Sequence, residues 1–202
     1  MEKLLVLLDL DETLIYSTDH KYELSDKEHD FAITYGEDTF RVFKRPHLDD
    51  FLDLLFSNKS LEVGVWTSAN HLYASRMIPA IFGDRELKVA FNFNRLVKSY
   101  EPVQSMYGRN PAIYLKDLKK VKKATGYPFE RILAVDDIPS FFRRQYSNLI
   151  QVKPFIGLDP KDDTTLLDLA DYIFRLEKVS NVRKIEKRGW LSRYQRDNHL
   201  SL

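Results

Sequence analysis

Apolar residues gather into short blocks separated by polar turns, and the first block, Leu4-Leu5-Val6-Leu7-Leu8, is unbroken. Five apolar residues without alternation predict a strand buried on both faces, as in the middle of a parallel sheet. The block runs into Asp9-Leu10-Asp11-Glu12-Thr13-Leu14. Ligands of open α/β sheets bind beyond the carboxyl ends of the strands, so Asp9 and Asp11 are expected at the lip of a crevice. Positions i and i+2 of a strand share a side, which lets both acids face one small volume.

Residues 17–30 are dense in charge and lack periodicity, so they read as a loop. Phe31-Ala32-Ile33-Thr34-Tyr35 and Thr39-Phe40-Arg41-Val42-Phe43 flank Gly36-Glu37-Asp38 and predict a β-hairpin. Pro46 is expected to open a helix whose stripe is Leu48, Phe51, Leu52, Leu54 and Leu55. Leu61-Glu62-Val63-Gly64-Val65-Trp66 predicts a second buried strand ending at Thr67-Ser68-Ala69-Asn70, followed by a helix over 72–81 and a strand over 87–91.

Residues 97–112, with Pro102, Gly108 and Pro111, read as a surface excursion. A helix is expected over 114–124, stopped by Gly126, and it carries lysines at 116, 119, 120, 122 and 123. Ile132-Leu133-Ala134-Val135 predicts another buried strand, ending at Asp136-Asp137. A last strand over 148–152 and a helix over 166–176 complete an alternation of strands and helices. That order predicts an α/β fold with a doubly wound, mainly parallel sheet and a small β-hairpin inserted after the first strand. From Val179 the chain turns basic, with Arg183, Lys184, Lys187, Arg188, Arg193 and Arg196 against Glu186 and Asp197. Val179, Val182 and Ile185 keep a weak helical spacing. The expected division is a domain over 1–178 and a basic C-terminal extension over 179–202.

Composition narrows the class. A chain of 202 residues with 44% hydrophobic and 13% aromatic residues suits one domain with a full core rather than a disordered segment. Lys+Arg 31 against Asp+Glu 30 leaves a net charge of +1, so no global field draws in a nucleic acid or a membrane. The absence of cysteine excludes disulfides, thiolate metal sites and cysteine nucleophiles, and is compatible with a reducing compartment. The first apolar block is short and followed at once by acids, unlike a signal peptide, and no stretch approaches the roughly 20 apolar residues of a membrane helix. A soluble intracellular protein, cytoplasmic or nuclear, is expected.

The polar groups at strand ends and adjoining turns are Asp9 and Asp11, Thr67 and Ser68, Lys116, and Asp136 with Asp137. Each alone has a structural reading: a turn acid, a helix cap, a surface lysine. Together they fit chemistry on a phosphate, whose charged oxygens repel an anionic nucleophile until they are neutralised. Asp9, Asp136 and Asp137 offer the hard oxygen donors that suit Mg²⁺. Asp9 is then the candidate nucleophile, forming an aspartyl-phosphate. Asp11 is the candidate general acid and base, provided burial and a neighbouring carboxylate raise its pKa. Thr67 would donate to a phosphate oxygen, and Lys116 would supply a fixed positive charge. The five histidines show no ligand spacing.

Asp9-Leu10-Asp11-Glu12-Thr13-Leu14, Val65-Trp66-Thr67-Ser68-Ala69, Tyr114-Leu115-Lys116-Asp117-Leu118 and Val135-Asp136-Asp137 resemble, in order, the four motifs of the haloacid dehalogenase superfamily. More narrowly they resemble its FCP/SCP-like branch, phosphatases of the C-terminal domain of RNA polymerase II and their relatives. Phe43-Lys44-Arg45-Pro46 and the hairpin before it fit the same branch, and the resemblance covers about residues 4 to 178. It implies a Rossmann-like fold, an Mg²⁺-dependent aspartyl-phosphate mechanism, and phosphoserine or phosphothreonine of proteins as substrate. Asp9 matches the nucleophile, Asp11 the acid/base, Thr67 the phosphate hydroxyl and Lys116 the lysine of the third motif. Asp136 and Asp137 match the metal-binding pair, and the backbone carbonyl at Asp11 also faces the metal in the family. A hairpin in place of an enclosing cap favours a bulky phosphoprotein over a nucleic acid or a small metabolite. The rival reading is a scaffold that kept the fold and lost the activity. Such relatives tend to lose the acids of the first motif, and Asp9 and Asp11 are both present.

Overall fold

The computed structural model describes residues 2–19, 28–35, 37–91, 101–102, 112–113, 115–158 and 163–199. Its centre is β1 (Leu4–Leu8), buried at every position because it is paired on both edges and covered on both faces. A small antiparallel sheet follows, from β2 (Ile15–Thr18), β3 (Phe31–Tyr35) and β4 (Asp38–Lys44), in the order β2-β4-β3. Next come α1 (Leu48–Ser57), β5 (Leu61–Trp66), α2 (His71–Phe82) and β6 (Val89–Phe91). A short antiparallel pair joins β7 (Glu101–Pro102) to β8 (Ala112–Ile113). The rest is α3 (Leu118–Thr125), β9 (Ile132–Asp136), β10 (Leu149–Gln151), α4 (Thr165–Glu177) and α5 (Trp190–His199).

Among the described residues the main sheet has five parallel strands in the order β10-β9-β1-β5-β6. Strand alternation splits its core in two. Leu4, Val6 and Leu8 pack with Phe51, Leu52 and Leu55 of α1 and Leu166, Leu169 and Ile173 of α4. Leu5 and Leu7 face the other way, onto Leu118 and Val121 of α3 and Phe142. The register then fixes the site. Leu8 lies opposite Val65 on one side and Val135 on the other. The residues that follow them in β1, β5 and β9 therefore leave the sheet at one level.

Several expectations need correction. Ser17 and Thr18 are not loop but the end of β2, paired with Val42 and Arg41; residues 20–27 lie outside the described residues. Pro46 does not open α1: it sits inside the turn closed by Leu48 N–H on Arg45 O, and His47 adopts a left-handed φ of 64° before the helix begins. Leu54 is 40% exposed, because the buried stripe Leu48, Phe51, Leu52, Leu55 already follows helical spacing and Leu54 falls off that face. The helix expected from 114 begins only at Leu118. Of the excursion over 97–112, residues 97–100 and 103–111 lie outside the described residues.

The basic stretch after Val179 does not form one helix from there. It makes a 3₁₀ turn, Val182–Lys184, before α5. Lys187 is buried and donates to the carbonyls of Ser147, Val182 and Ile185, at 2.7, 2.5 and 2.9 Å. Trp190 stacks on Tyr172 of α4 with ring centroids 5.1 Å apart, and its indole N–H donates to Gln151 O at 2.8 Å. Val182, Trp190 and Tyr194 are thus part of the core on the α4 side of the sheet. Among the described residues no helix is long and apolar enough to cross a membrane.

Candidate active site

Lys116 ties the strand ends together. Its ammonium, with the side chain 1% exposed, donates to Asp9 Oδ1 at 2.6 Å, to Asp136 Oδ2 at 2.6 Å and to Trp66 O at 2.7 Å. These acceptors belong to the ends of β1, β9 and β5, so one cation uses its three donors on three strands. Asp117 makes this geometry available by capping α3: its carboxylate accepts from Lys119 N–H at 3.0 Å. Lys116 therefore stands before the helix rather than on its solvated face, and its own N–H is anchored on Phe141 O at 2.9 Å.

The turn after β1 carries the rest. Thr13 is fully buried, and its hydroxyl lies 3.5 Å from Asp9 Oδ2 and 3.4 Å from Asp137 Oδ1. Asp11 points toward the small sheet, where Tyr73 OH donates to its Oδ1 at 2.5 Å and Ser17 Oγ lies at 3.4 Å from the same oxygen. Tyr73 and Ser17 also touch each other at 2.6 Å. Thr67 is buried at the end of β5 with its hydroxyl oxygen accepting from Ala69 N–H at 3.1 Å. Asp136 Oδ1 accepts from Ile138 N–H at 2.8 Å, which turns the chain after β9. Glu12 holds a left-handed φ of 59° in the turn that separates Asp11 from Thr13.

Asp9, Asp11, Glu12, Thr67, Ser68, Asp137 and Ile138 line a cavity of about 140 Å³, large enough for one tetrahedral oxyanion. Asp9, Asp136 and Asp137 each offer a carboxylate oxygen, all within 4.8 Å of one another. The Asp11 carboxylate stands apart from that group, held by Tyr73.

Charge is unbalanced here. Burial raises the Asp9 carboxyl well above its ordinary value, and Asp136 and Asp11 push the same way against the pull of Lys116. Burial also raises Asp11, opposed by the hydrogen bonds from Tyr73 and Ser17. Asp137 is pushed up to about 6 by burial and then by Asp136. Burial alone would lower the Lys116 ammonium, but Asp9 and Asp136 outweigh it and hold its pKa above the usual value. Among the described residues, the clustered carboxyls of Asp9, Asp136 and Asp137, with Asp11 and Glu12 beside them, thus outnumber the Lys116 ammonium, a deficit that a divalent cation among oxygen donors would relieve.

All the residues picked out from sequence for the site are brought to this one region, and three others join them. Thr13, Ser17 and Tyr73 were not singled out. Tyr73 reads as an apolar position of α2, where it also meets Phe40 edge-on at 5.5 Å. The sequence carries no signal for its hydroxyl, because the partner arrives from a turn 62 residues away. Tyr73→Phe should lower kcat about tenfold with little change in KM, since it removes one donor to Asp11 and little volume. Steady-state kinetics on p-nitrophenyl phosphate checks this; an unchanged kcat would leave the orientation of Asp11 to Ser17 alone.

Residues 4–183 match the family described as NLI interacting factor-like phosphatase. A CTD phosphatase-like protein of Invertebrate iridescent virus 3 is 34% identical over 182 residues, covering 82% of this chain and 92% of that protein. The CTD nuclear envelope phosphatase 1 homolog of Drosophila melanogaster is 28% identical over 194 residues, covering 91% of this chain and 72% of its own. Among solved structures, that of Fcp1, an RNA polymerase II CTD phosphatase, aligns over 87% of this chain and 49% of that one, at 18% identity and a TM-score of 0.48. The matched span begins at β1 and includes every carboxylate and the lysine around the cavity, so the chain belongs to the NLI interacting factor-like phosphatase family.

Proposed function

We propose that the chain hydrolyses phosphoserine or phosphothreonine in a protein substrate, through a phosphoryl intermediate on Asp9 and with Mg²⁺ bound at the strand ends. The observation that carries this reading is the Lys116 ammonium between Asp9 and Asp136, beneath a cavity that Asp11, Thr67 and Asp137 also line. The first-motif acids, one or both of which inactive scaffolds tend to lose, are both present in that cavity.

Lys116 holds the Asp9 carboxylate by its Oδ1 at 2.6 Å, which sets the orientation in which the other oxygen meets phosphorus. As the Asp9–phosphorus bond forms, the bond to the seryl or threonyl oxygen breaks, and Asp11 gives that oxygen its proton. A raised Asp11 pKa makes this proton available. Asp11 then takes a proton from the water that attacks phosphorus, and inorganic phosphate leaves with Asp9 restored. Thr67 donates its hydroxyl hydrogen to a phosphate oxygen, while Lys116 stabilises the charge carried by Asp9. Asp9, Asp136 and Asp137, with the Asp11 carbonyl, would hold Mg²⁺, which offsets the charge of the phosphate oxygens. Ser68 is exposed and Asp11 half-buried, so the mouth opens to solvent and suits a phosphate carried on a bulky chain. We place this activity inside the cell, in cytoplasm or nucleus, in keeping with a chain that has no cysteine.

A panel of phosphoserine, phosphothreonine and small phosphorylated metabolites, assayed for free phosphate with Mg²⁺ and with EDTA, tests the proposal. Turnover of the phosphopeptides that requires the metal is expected. No phosphate release from any of them under several divalent metals would overturn it.

The raised carboxyls set a pH dependence. With Asp137 near 6 instead of the ordinary 3.8, and Asp9 and Asp11 raised as well, the folded chain keeps protons that the unfolded chain releases earlier. In EDTA the melting temperature should therefore fall as pH climbs from about 4 to above 6. Mg²⁺ should cancel that fall, and its stabilisation should grow with pH because the ligands bind it ionised. Melting curves across this window check both signs; an equal effect of Mg²⁺ at its two ends would contradict them.

A further inference from the structure

At the amino-terminal ends of the strands, opposite the catalytic cavity, two basic stretches far apart in sequence meet over one ring. Lys122 of α3 and Arg183 of the 3₁₀ turn stand over Phe129, at 5.2 and 5.8 Å from its centroid. Phe129–Arg131 leads into β9 and Tyr146–Asn148 into β10, which places this face away from the phosphate site. A groove of about 370 Å³ lies beside the ring, lined by Tyr146, Ser147 and residues 183–188. Lys187 lies under it, with its ammonium fixed on three carbonyls. Tyr146 and Ile185, each 36% exposed, supply apolar surface to the lining.

Lys122, Arg183, Lys184, Lys187 and Arg188 put five cations here. Glu130, 3.8 Å from Arg183, and Glu186, 2.6 Å from Arg188, offset two of them. In a chain whose net charge is +1, such a surplus is a local concentration, not an overall property. The catalytic reading makes no use of it.

We propose that this groove docks an acidic segment of a protein partner, one that interleaves carboxylates with apolar side chains. Its carboxylates would meet Arg183, Lys184 and Arg188, and its apolar side chains would cover Tyr146 and Ile185. A nucleic acid fits less well. Glu130 and Glu186 would lie against a continuous phosphate backbone, and Phe129 is covered by two cations instead of offering its face to a base. A membrane surface fits less well too, because the cations line a concavity instead of a flat face. A partner held there leaves the catalytic cavity open. A substrate that also carried such a segment would reach Asp9 at raised effective concentration.

Fluorescence anisotropy of the whole chain tests this, using a labelled peptide of repeated Glu-Leu-Asp, a labelled oligothymidylate of equal length, and vesicles containing phosphatidylserine. The peptide should bind saturably and more weakly at high salt. Lys184→Glu with Arg188→Glu should weaken it about tenfold or more, while the melting temperature and the turnover of p-nitrophenyl phosphate stay at the wild-type values. Lys184→Arg should bind as the wild type does. Absence of saturable peptide binding, tighter binding of the oligothymidylate or the vesicles, or peptide binding indifferent to the charge reversal would each overturn the proposal. None of these results depends on whether Asp9 is the nucleophile.

Discussion

Asp9→Asn should leave phosphate release from p-nitrophenyl phosphate at least about four orders of magnitude below the wild-type rate. The substitution is nearly isosteric, and the amide oxygen can still accept from Lys116, so the fold should survive it. What disappears is the anionic oxygen that makes the bond to phosphorus. Asp11→Asn should act differently. It leaves that oxygen in place but removes the base that activates water, so phosphorylated protein should accumulate, labile to hydroxylamine and mapped by mass spectrometry to Asp9. Phosphate found on another residue, or more than about a hundredth of the rate surviving in Asp9→Asn, would defeat the assignment of the nucleophile.

Lys116→Met is expected to be the most damaging substitution for the fold itself. Asp9 and Asp136 are buried, and each gives an oxygen to this ammonium at 2.6 Å. Removing one member of a buried ionic group costs about 3–5 kcal/mol, mostly because the charges left behind have lost their partner. Trp66 O would also lose its donor. Urea denaturation in EDTA measures this cost. Adding Asp136→Asn to Lys116→Met should recover part of the stability, since the second change removes one of the stranded charges. Activity should fall about 10²- to 10³-fold in the single variant, the size expected when one preorganised electrostatic group is lost. Two costs that simply add would mean that Lys116 and Asp136 act separately.

The frame of this molecule was legible because its strands are unbroken apolar blocks. Leu4 to Leu8 and Ile132 to Val135 read as strands shielded on both faces, and both run into acids. The level at which those acids leave the sheet could be inferred from fold class but not the register that sets it. The helix expected from 114 begins only at Leu118, behind Asp117. Asp117 was the available signal, a capping residue that separates Lys116 from the lysines that follow it. The contacts of Asp11 were hidden for a different reason. Tyr73 and Ser17 come from α2 and β2, and only packing of the small sheet against α2 brings them to one carboxylate. The role of Trp190 and Lys187 was hidden by charge: a run rich in arginine and lysine masks two side chains that face inward.

That inward-facing tryptophan has a wider consequence. Gln151 belongs to β10, among the described residues an outermost strand of the main sheet, and its carbonyl points away from β9 to meet the Trp190 indole. An outermost strand left bare is a template on which another chain can add its own. Cleavage ahead of Trp190 would thus take the donor from that carbonyl and leave one more group of the border open to another chain.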